Sequence, residues 1–284
     1  MSVHPTEEEL ESLSLACQKL WDLDENRLEP GVDYAINVQG GKNPFGNQDA
    51  AADKLFLGVK DDVWQRQTYV IFYNLLDNYE RQTGIRETLT PQERQETIAF
   101  VNAIMETKPM QYCHNLLVKK GRAPADEGEF KDLLMKLWFY FYRRETDFDS
   151  SGFEHVFVGE VKNGKVTGLH NWIQFYIEER KGNIDYRGFI RPRRRGQGVE
   201  NPDGNERILT VQMEWGDELK PISTIFIGTS PEFEMALYTL CFLAGGEENL
   251  IDIEQYDVMI KCYRMGRDRD QIGTAFPEVV GVDQ

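Results

Sequence analysis

Histidine is scarce in this chain: there are four among 284 residues, and two of them, His155 and His170, lie fifteen positions apart. Cysteine is equally sparse, with Cys17, Cys113, Cys241 and Cys262 scattered and no CxxC pair. That pattern excludes a disulfide framework and a closed zinc site, and it reads as four reduced core thiols. No apolar run approaches the roughly 20 residues that span a bilayer. The first ten residues are acidic and lack the basic-then-apolar order of a secretory leader. The expected location is therefore cytoplasmic or nuclear for the chain as given, and secreted if the N-terminus was trimmed. Positive charge is also in deficit: 32 basic against 48 acidic residues gives a net −16, which excludes a general polyanion-coating protein. Nucleic acid must then be held locally. The one basic island is 187–198, with five arginines, among them Arg193, Arg194 and Arg195. No internal repeat is present.

What the chain does contain is hydrophobic residues, 40% of the total with the 12% that are aromatic counted among them, enough for a substantial core. Capping boxes at Thr6–Glu9 and Thr90–Glu93 predict helices over about 7–21 and 91–106, the second with Pro91 at its first position. Apolar spacing predicts further helices over about 63–81 and 127–143, and residues 22–60 read as ordered loop. After Arg144 the grammar changes to short β-branched runs at 155–161, 165–168, 184–190, 208–215, 222–228, 250–264 and 272–280. Two helices interrupt them, about 170–181 and 231–244. The expected fold class is α+β: a mostly helical N-terminal portion, 1–145, packed on a C-terminal antiparallel sheet portion, 146–284, with the chemistry in the latter and the two forming one domain.

Between the two histidines, Asn163-Gly164 is the dipeptide of a two-residue type I′ hairpin turn. The stretch 150–172 thus reads as strand, turn, strand, helix, which brings His155 and His170 together at element ends. Two imidazoles suit metal ligation, paired acid–base chemistry or plain hydrogen bonding. Glu154 and Glu160 are candidate metal partners, although alternation along a strand would aim 155 and 160 to opposite faces. Cleavage of RNA through its 2′-hydroxyl fits better, because it needs a base, an acid and a cation for the phosphorane. Lys220, read as lying at a turn between two strands, is the candidate cation.

Ser151–Glu160, Gly168–Tyr176, Ile184–Gly188 and Phe226–Phe242 resemble the signature blocks of the EndoU family, the poly(U)-specific endoribonucleases of animals, with distant relatives among coronavirus uridylate-specific enzymes. The blocks run in order over almost the whole chain. The resemblance implies a Mn²⁺- or Ca²⁺-dependent ribonuclease that cuts single-stranded RNA at uridines and leaves 2′,3′-cyclic phosphate ends. It implies a triad of His155, His170 and Lys220, with His170 as base, His155 as acid and Lys220 stabilising charge. It also implies that Glu154 and Glu160 are needed, and a uracil pocket formed by Ser223 and Thr224 with Thr274 and Phe276, where many relatives carry Tyr in place of Phe276. Arg193, Arg194 and Arg195 are expected to grip flanking phosphates, and the chain is expected to act as a monomer. The competing expectation is a non-catalytic RNA- or phospholipid-binding protein on the same scaffold.

Overall fold

The computed structural model describes residues 1–46, 48–192 and 199–282. Thr6 caps α1 (Glu7–Glu11) in a reciprocal box, but Ser12 is extended and caps a second helix, α2 (Leu13–Leu23), so the single helix expected here is two. The following loop carries three short strands, β1 (Tyr34–Ile36), β2 (Gly41–Lys42) and β3 (Phe56–Val59). Helices α3 (Gln67–Leu75), α4 (Pro91–Met105), α5 (Lys108–Lys119) and α6 (Glu127–Trp138) complete the N-terminal part. Helix α3 stops short of Gly84, and α6 ends before Tyr142, whose backbone instead pairs with Ser150.

A wide helical turn over Glu154–Val158 stands where a strand was expected, closed by the Gly159 N–H on the Glu154 carbonyl five residues back at 2.8 Å. The chain continues through β4 (Glu160–Val161), β5 (Val166–Thr167), α7 (Trp172–Lys181), β6 (Ile184–Ile190), β7 (Ile208–Trp215), β8 (Glu218–Phe226), α8 (Pro231–Ala244), β9 (Glu248–Ile253), β10 (Tyr256–Met265) and β11 (Gln271–Val282). The expected run 250–264 is thus a hairpin of two strands. Asn163 and Gly164, both at positive φ (50° and 69°), make the tight turn between β4 and β5.

Strands order as β2-β6-β7-β8 in one sheet and β11-β10-β9 in another. In these two sheets the pairings among the described strands are antiparallel except β2 with β6, so a strand of the N-terminal part joins the sheet in parallel. Helix α8 is buried from Pro231 through Phe242, as an apolar helix without a polar face must be. It packs against α2, α3 and α5 on one side and β10 and β11 on the other. One continuous core cluster includes Leu20, Phe72, Phe100, Trp138, Phe157, Trp172 and Leu237, joining both halves of the sequence. All four cysteines are free and buried, with the Cys17 and Cys241 sulfurs 3.9 Å apart.

Candidate active site

Two backbone hydrogen bonds bring the histidines together. The amide of Leu169 donates to the His155 carbonyl at 3.0 Å, and that of His170 to the Val156 carbonyl at 2.8 Å. Such an approach leaves no room at Gly168: a Cβ there would lie 1.8 Å from the His155 carbonyl oxygen, at a φ of +65°. His170 then precedes Asn171, whose side chain caps α7 by accepting the amides of Ile173 and Gln174.

Each ring is tethered through Nδ1. That of His155 lies 2.5 Å from the Glu160 carboxylate, and that of His170 lies 3.3 Å from the Thr224 carbonyl. A strand at 155–160 would have aimed these two side chains apart. The helical turn, followed by Gly159 at φ +88°, folds Glu160 back onto His155 instead. Glu160 also meets Arg144 at 3.2 Å. Arg144 is in turn held by the Ser150 hydroxyl, the Tyr142 hydroxyl and the Gly273 carbonyl, at 3.0, 2.8 and 2.8 Å. The loop that presents Arg144 is organised by Asp149, which accepts the amides of Gly84, Arg144, Glu145 and Thr146. The sequence reading passed over Arg144, and no local motif marks it.

Lys220 is not the solvated turn residue expected. The turn is at Gly216 and Asp217, and Lys220 lies within β8 with 6% of its surface exposed. Register explains its direction. Val211 pairs with Ser223 and Met213 with Lys220, so Pro221 and Ile222 together oppose the single Gln212. This bulge puts Lys220 and Ser223, three positions apart, on one face. The Lys220 ammonium donates to the Gly168 carbonyl, and the Ser223 hydroxyl donates to the adjacent Leu169 carbonyl at 2.9 Å. β8 therefore grips the segment that carries His170.

Burial dominates the electrostatics. It lowers Lys220 to about 7, because little else compensates a desolvated ammonium. His170 is driven well below its ordinary value by burial, then by Lys220 and His155. His155 is lowered by burial and by Arg144, with Glu160 opposing. For Glu160, burial alone would raise the carboxyl, but His155 and Arg144 outweigh it and hold it low. Glu154 is pushed up to about 10 by burial and by the Glu160 charge, and neither of its oxygens has a hydrogen-bond partner.

That contrast tests Glu154 and Glu160 as cation ligands. Glu160 is committed to His155 and Arg144, and a metal there would face the Arg144 guanidinium. Among the described residues no three His, Cys, Asp or Glu side chains come together to hold an ion. The pair does not fit a metal centre.

Phe276 stacks on the His170 ring, with centroids 4.7 Å apart and planes 15° from parallel. Thr274, two positions earlier on β11, has a buried hydroxyl without a partner. Thr224 contributes its carbonyl to His170, while its hydroxyl meets Thr210 across the strands at 3.0 Å. Thr210 and Thr224 line a separate cleft of about 380 Å³, bounded also by Phe189 and Arg191. Arg193, Arg194 and Arg195 lie outside the described residues. Arg187 is engaged with Glu214 at 3.0 Å. His114 stacks on Phe130 and bonds the Pro124 carbonyl, away from this cluster.

A family profile described as Endoribonuclease XendoU matches residues 12–277. The poly(U)-specific endoribonuclease of Xenopus tropicalis is 42% identical over 283 residues, covering 95% of this chain and 94% of that protein. The human uridylate-specific endoribonuclease is 38% identical, covering 95% of this chain and 66% of its own length. The solved structure of XendoU, titled a splicing independent snoRNA processing endoribonuclease, superposes with a TM-score of 0.84 at 39% identity over 98% of this chain and 99% of that one. With the fold, the length and the sequence in agreement, the chain belongs to the XendoU family of endoribonucleases.

Proposed function

We propose that this protein cleaves single-stranded RNA at uridines by attack of the 2′-hydroxyl on the adjacent phosphate. The O2′–P bond forms as the P–O5′ bond breaks, giving a 2′,3′-cyclic phosphate and a free 5′-hydroxyl. In this reading His170 takes the 2′-OH proton, His155 supplies a proton to O5′, and Lys220 offsets the charge of the phosphorane. The observation that carries it is the tethering of both rings through Nδ1. Each imidazole keeps Nε2 for substrate, and their surroundings differ in sign. Burial first and then nearby Lys220 favour the neutral, basic ring of His170, against the smaller opposing pull of the Thr224 carbonyl that holds its Nδ1. His155 has a carboxylate behind it, which opposes the lowering by burial and Arg144 and so works in favour of the imidazolium.

For the base, Ser223 retains acceptor lone pairs for the uracil N3–H, and the unpartnered Thr274 hydroxyl supplies a donor for a uracil carbonyl. The Phe276 ring, stacked on His170, is the flat surface against which the base would lie. Mn²⁺ or Ca²⁺ dependence, implied by the family resemblance, enters no step of this scheme.

The test is cleavage of a uridine-containing oligonucleotide, with its 2′-deoxyuridine counterpart as control, by the parent and His170→Ala. Cleavage only of the ribo substrate, a cyclic phosphate on the product and loss in the variant are expected. Cutting of the deoxy substrate would overturn the scheme.

A further inference from the structure

Two clefts adjoin along α7. The first, of about 220 Å³, is lined by Arg81, Val158, Gln174, Glu178 and Trp215. Val158 ends the helical turn that carries His155. The second, of about 530 Å³, is lined by Trp64, Asn74, Tyr176 and Arg180. Tyr73, Ile177 and Lys181 border both, so the two make one track from the turn of His155 to the C-terminal end of α7.

Each cleft suits a different part of a nucleotide. In the first, the Arg81 guanidinium lies 3.7 Å over the Trp215 ring and donates to the Trp215 carbonyl at 2.9 Å. The Arg81 Nε–H and the Trp215 ring N–H are both buried without a hydrogen-bond partner among the described residues. Two buried donors left open on stacked side chains, one of them charged, are uncommon and suit an anionic oxygen. Of the carboxylates lining this cleft, Glu178 is held by Lys181 and Asn183 at 2.9 Å each, and Asp77 is exposed. In the second cleft Trp64 stacks on Tyr176, with centroids 5.4 Å apart and planes 10° from parallel. Tyr73 meets Trp64 edge-on at 6.4 Å and is 47% exposed, a ring held in place and open to a base. Exposed Arg180 and Lys181 stand beside these rings. On a chain of net charge −16, adjacent cations next to an open aromatic ring mark where a polyanion can be held.

We propose that this track binds the single-stranded RNA to one side of the scissile linkage, with a backbone phosphate against Arg81, Trp215 and Lys181 and a base stacked on Tyr73 beside Arg180. The inference rests on the nuclease reading and adds to it a grip on nucleotides outside the uridine that is cut. At 1.5 Å of rise per residue, Lys181 lies about 14 Å along α7 from Trp172, so a dinucleotide cut at the histidines falls short of Tyr73 and Arg180.

The experiment measures kcat and KM for a uridine-containing dinucleotide and for ten-nucleotide RNAs that extend the same cut site on the 5′ or the 3′ side. The proteins are the parent, Tyr73→Ala, Tyr73→Phe, Arg180→Ala and, as a charge control, Arg94→Ala, an exposed cation outside both clefts. In the parent, extension on one side is expected to lower KM by roughly tenfold, the worth of a stacked base with a phosphate contact. Tyr73→Ala and Arg180→Ala are expected to lose most of that gain while kcat and the dinucleotide KM stay at the parent's values. Tyr73→Phe and Arg94→Ala are expected to retain it. The salt dependence of binding to the extended RNA is expected to be shallower by about one in Arg180→Ala. A parent KM indifferent to extension on both sides would overturn the track. So would equal gains in the parent, Tyr73→Ala and Arg180→Ala, which would leave the aromatic groove to a protein partner. Fluorescence anisotropy of the labelled ten-nucleotide RNA, with 2′-deoxyuridine at the cut position, reads the same differences without turnover. A failure of cleavage and a failure of the track therefore give separate results.

Discussion

The Glu160 carboxylate sits 2.5 Å from Nδ1 of His155 and 3.2 Å from the Arg144 guanidinium, so a buried ion pair stands directly behind one of the two imidazoles. The arrangement fixes the tautomer of His155 and supports its positive charge. Glu160→Gln keeps the volume and removes the charge. It is expected to lower kcat by roughly 10²-fold, within the range of acid–base contributions, and to move the basic limb of the pH profile downward. Steady-state kinetics across pH, beside unchanged unfolding, checks it; an unmoved limb would show that Glu160 only packs.

Lys220 near 7 and His155, lowered by burial and by Arg144, together set the pH dependence of the free enzyme. With His170 lowered well below 6.5, its neutral form is present through the neutral range, so kcat/KM rises early on the acid side. It then falls as His155, held below its ordinary value, and Lys220, at about 7, lose their protons. A bound phosphodiester adds negative charge and raises the pKa of Lys220 and His155, so the falling limb of kcat is expected at higher pH than that of kcat/KM. Coincident limbs would contradict a charge role for Lys220.

Gly168 admits no side chain. Gly168→Ala places a Cβ against the His155 carbonyl at positive φ, and a loss of about 3 kcal/mol is expected, with activity falling further than stability. Denaturant titration and kinetics on the remaining folded fraction separate the two effects.

Glu154 binds a proton in the folded state over a window the unfolded chain does not share. Its folded pKa, about 10, lies above the unfolded 4.5, so its contribution is complete below the lower value and is lost as pH rises toward the upper. Glu154→Gln, permanently neutral, is expected to unfold with a Tm that declines less between pH 6 and about 9 than the parent's. Parallel Tm curves would place the Glu154 carboxyl in contact with a charge that keeps it ionised.

Much of this architecture was readable in advance. Strands 184–190 and 208–215 and helix 231–244 were bounded correctly because turn glycines, a serine cap and unbroken apolar runs all point one way there. The signature blocks and the His155–His170 pair were equally visible. The turn at 154–158 was not: Val156 and Val158 carry strand propensity, and only the Leu169 and His170 amides, bonding back from a later segment, favour the helical form. Arg144 was invisible for the same reason, since its partners Glu160, Ser150 and Gly273 are brought to it by tertiary folding. The burial of Lys220 was missed because a strand period of two gives no hint of an extra residue.

That extra residue changes what a sequence search should look for. A regular strand shows alternate residues to the same side, so a lysine and a hydroxyl meant to act together would be sought two or four places apart. Here Pro221 and Ile222 stand across from Gln212 alone, and the productive separation is three. Regular pairing of all four residues, without the bulge, would turn the amine toward the opposite side of the sheet from the Ser223 hydroxyl. A strand paired in that way would keep every chemically active side chain named above and still lack the means to assemble them.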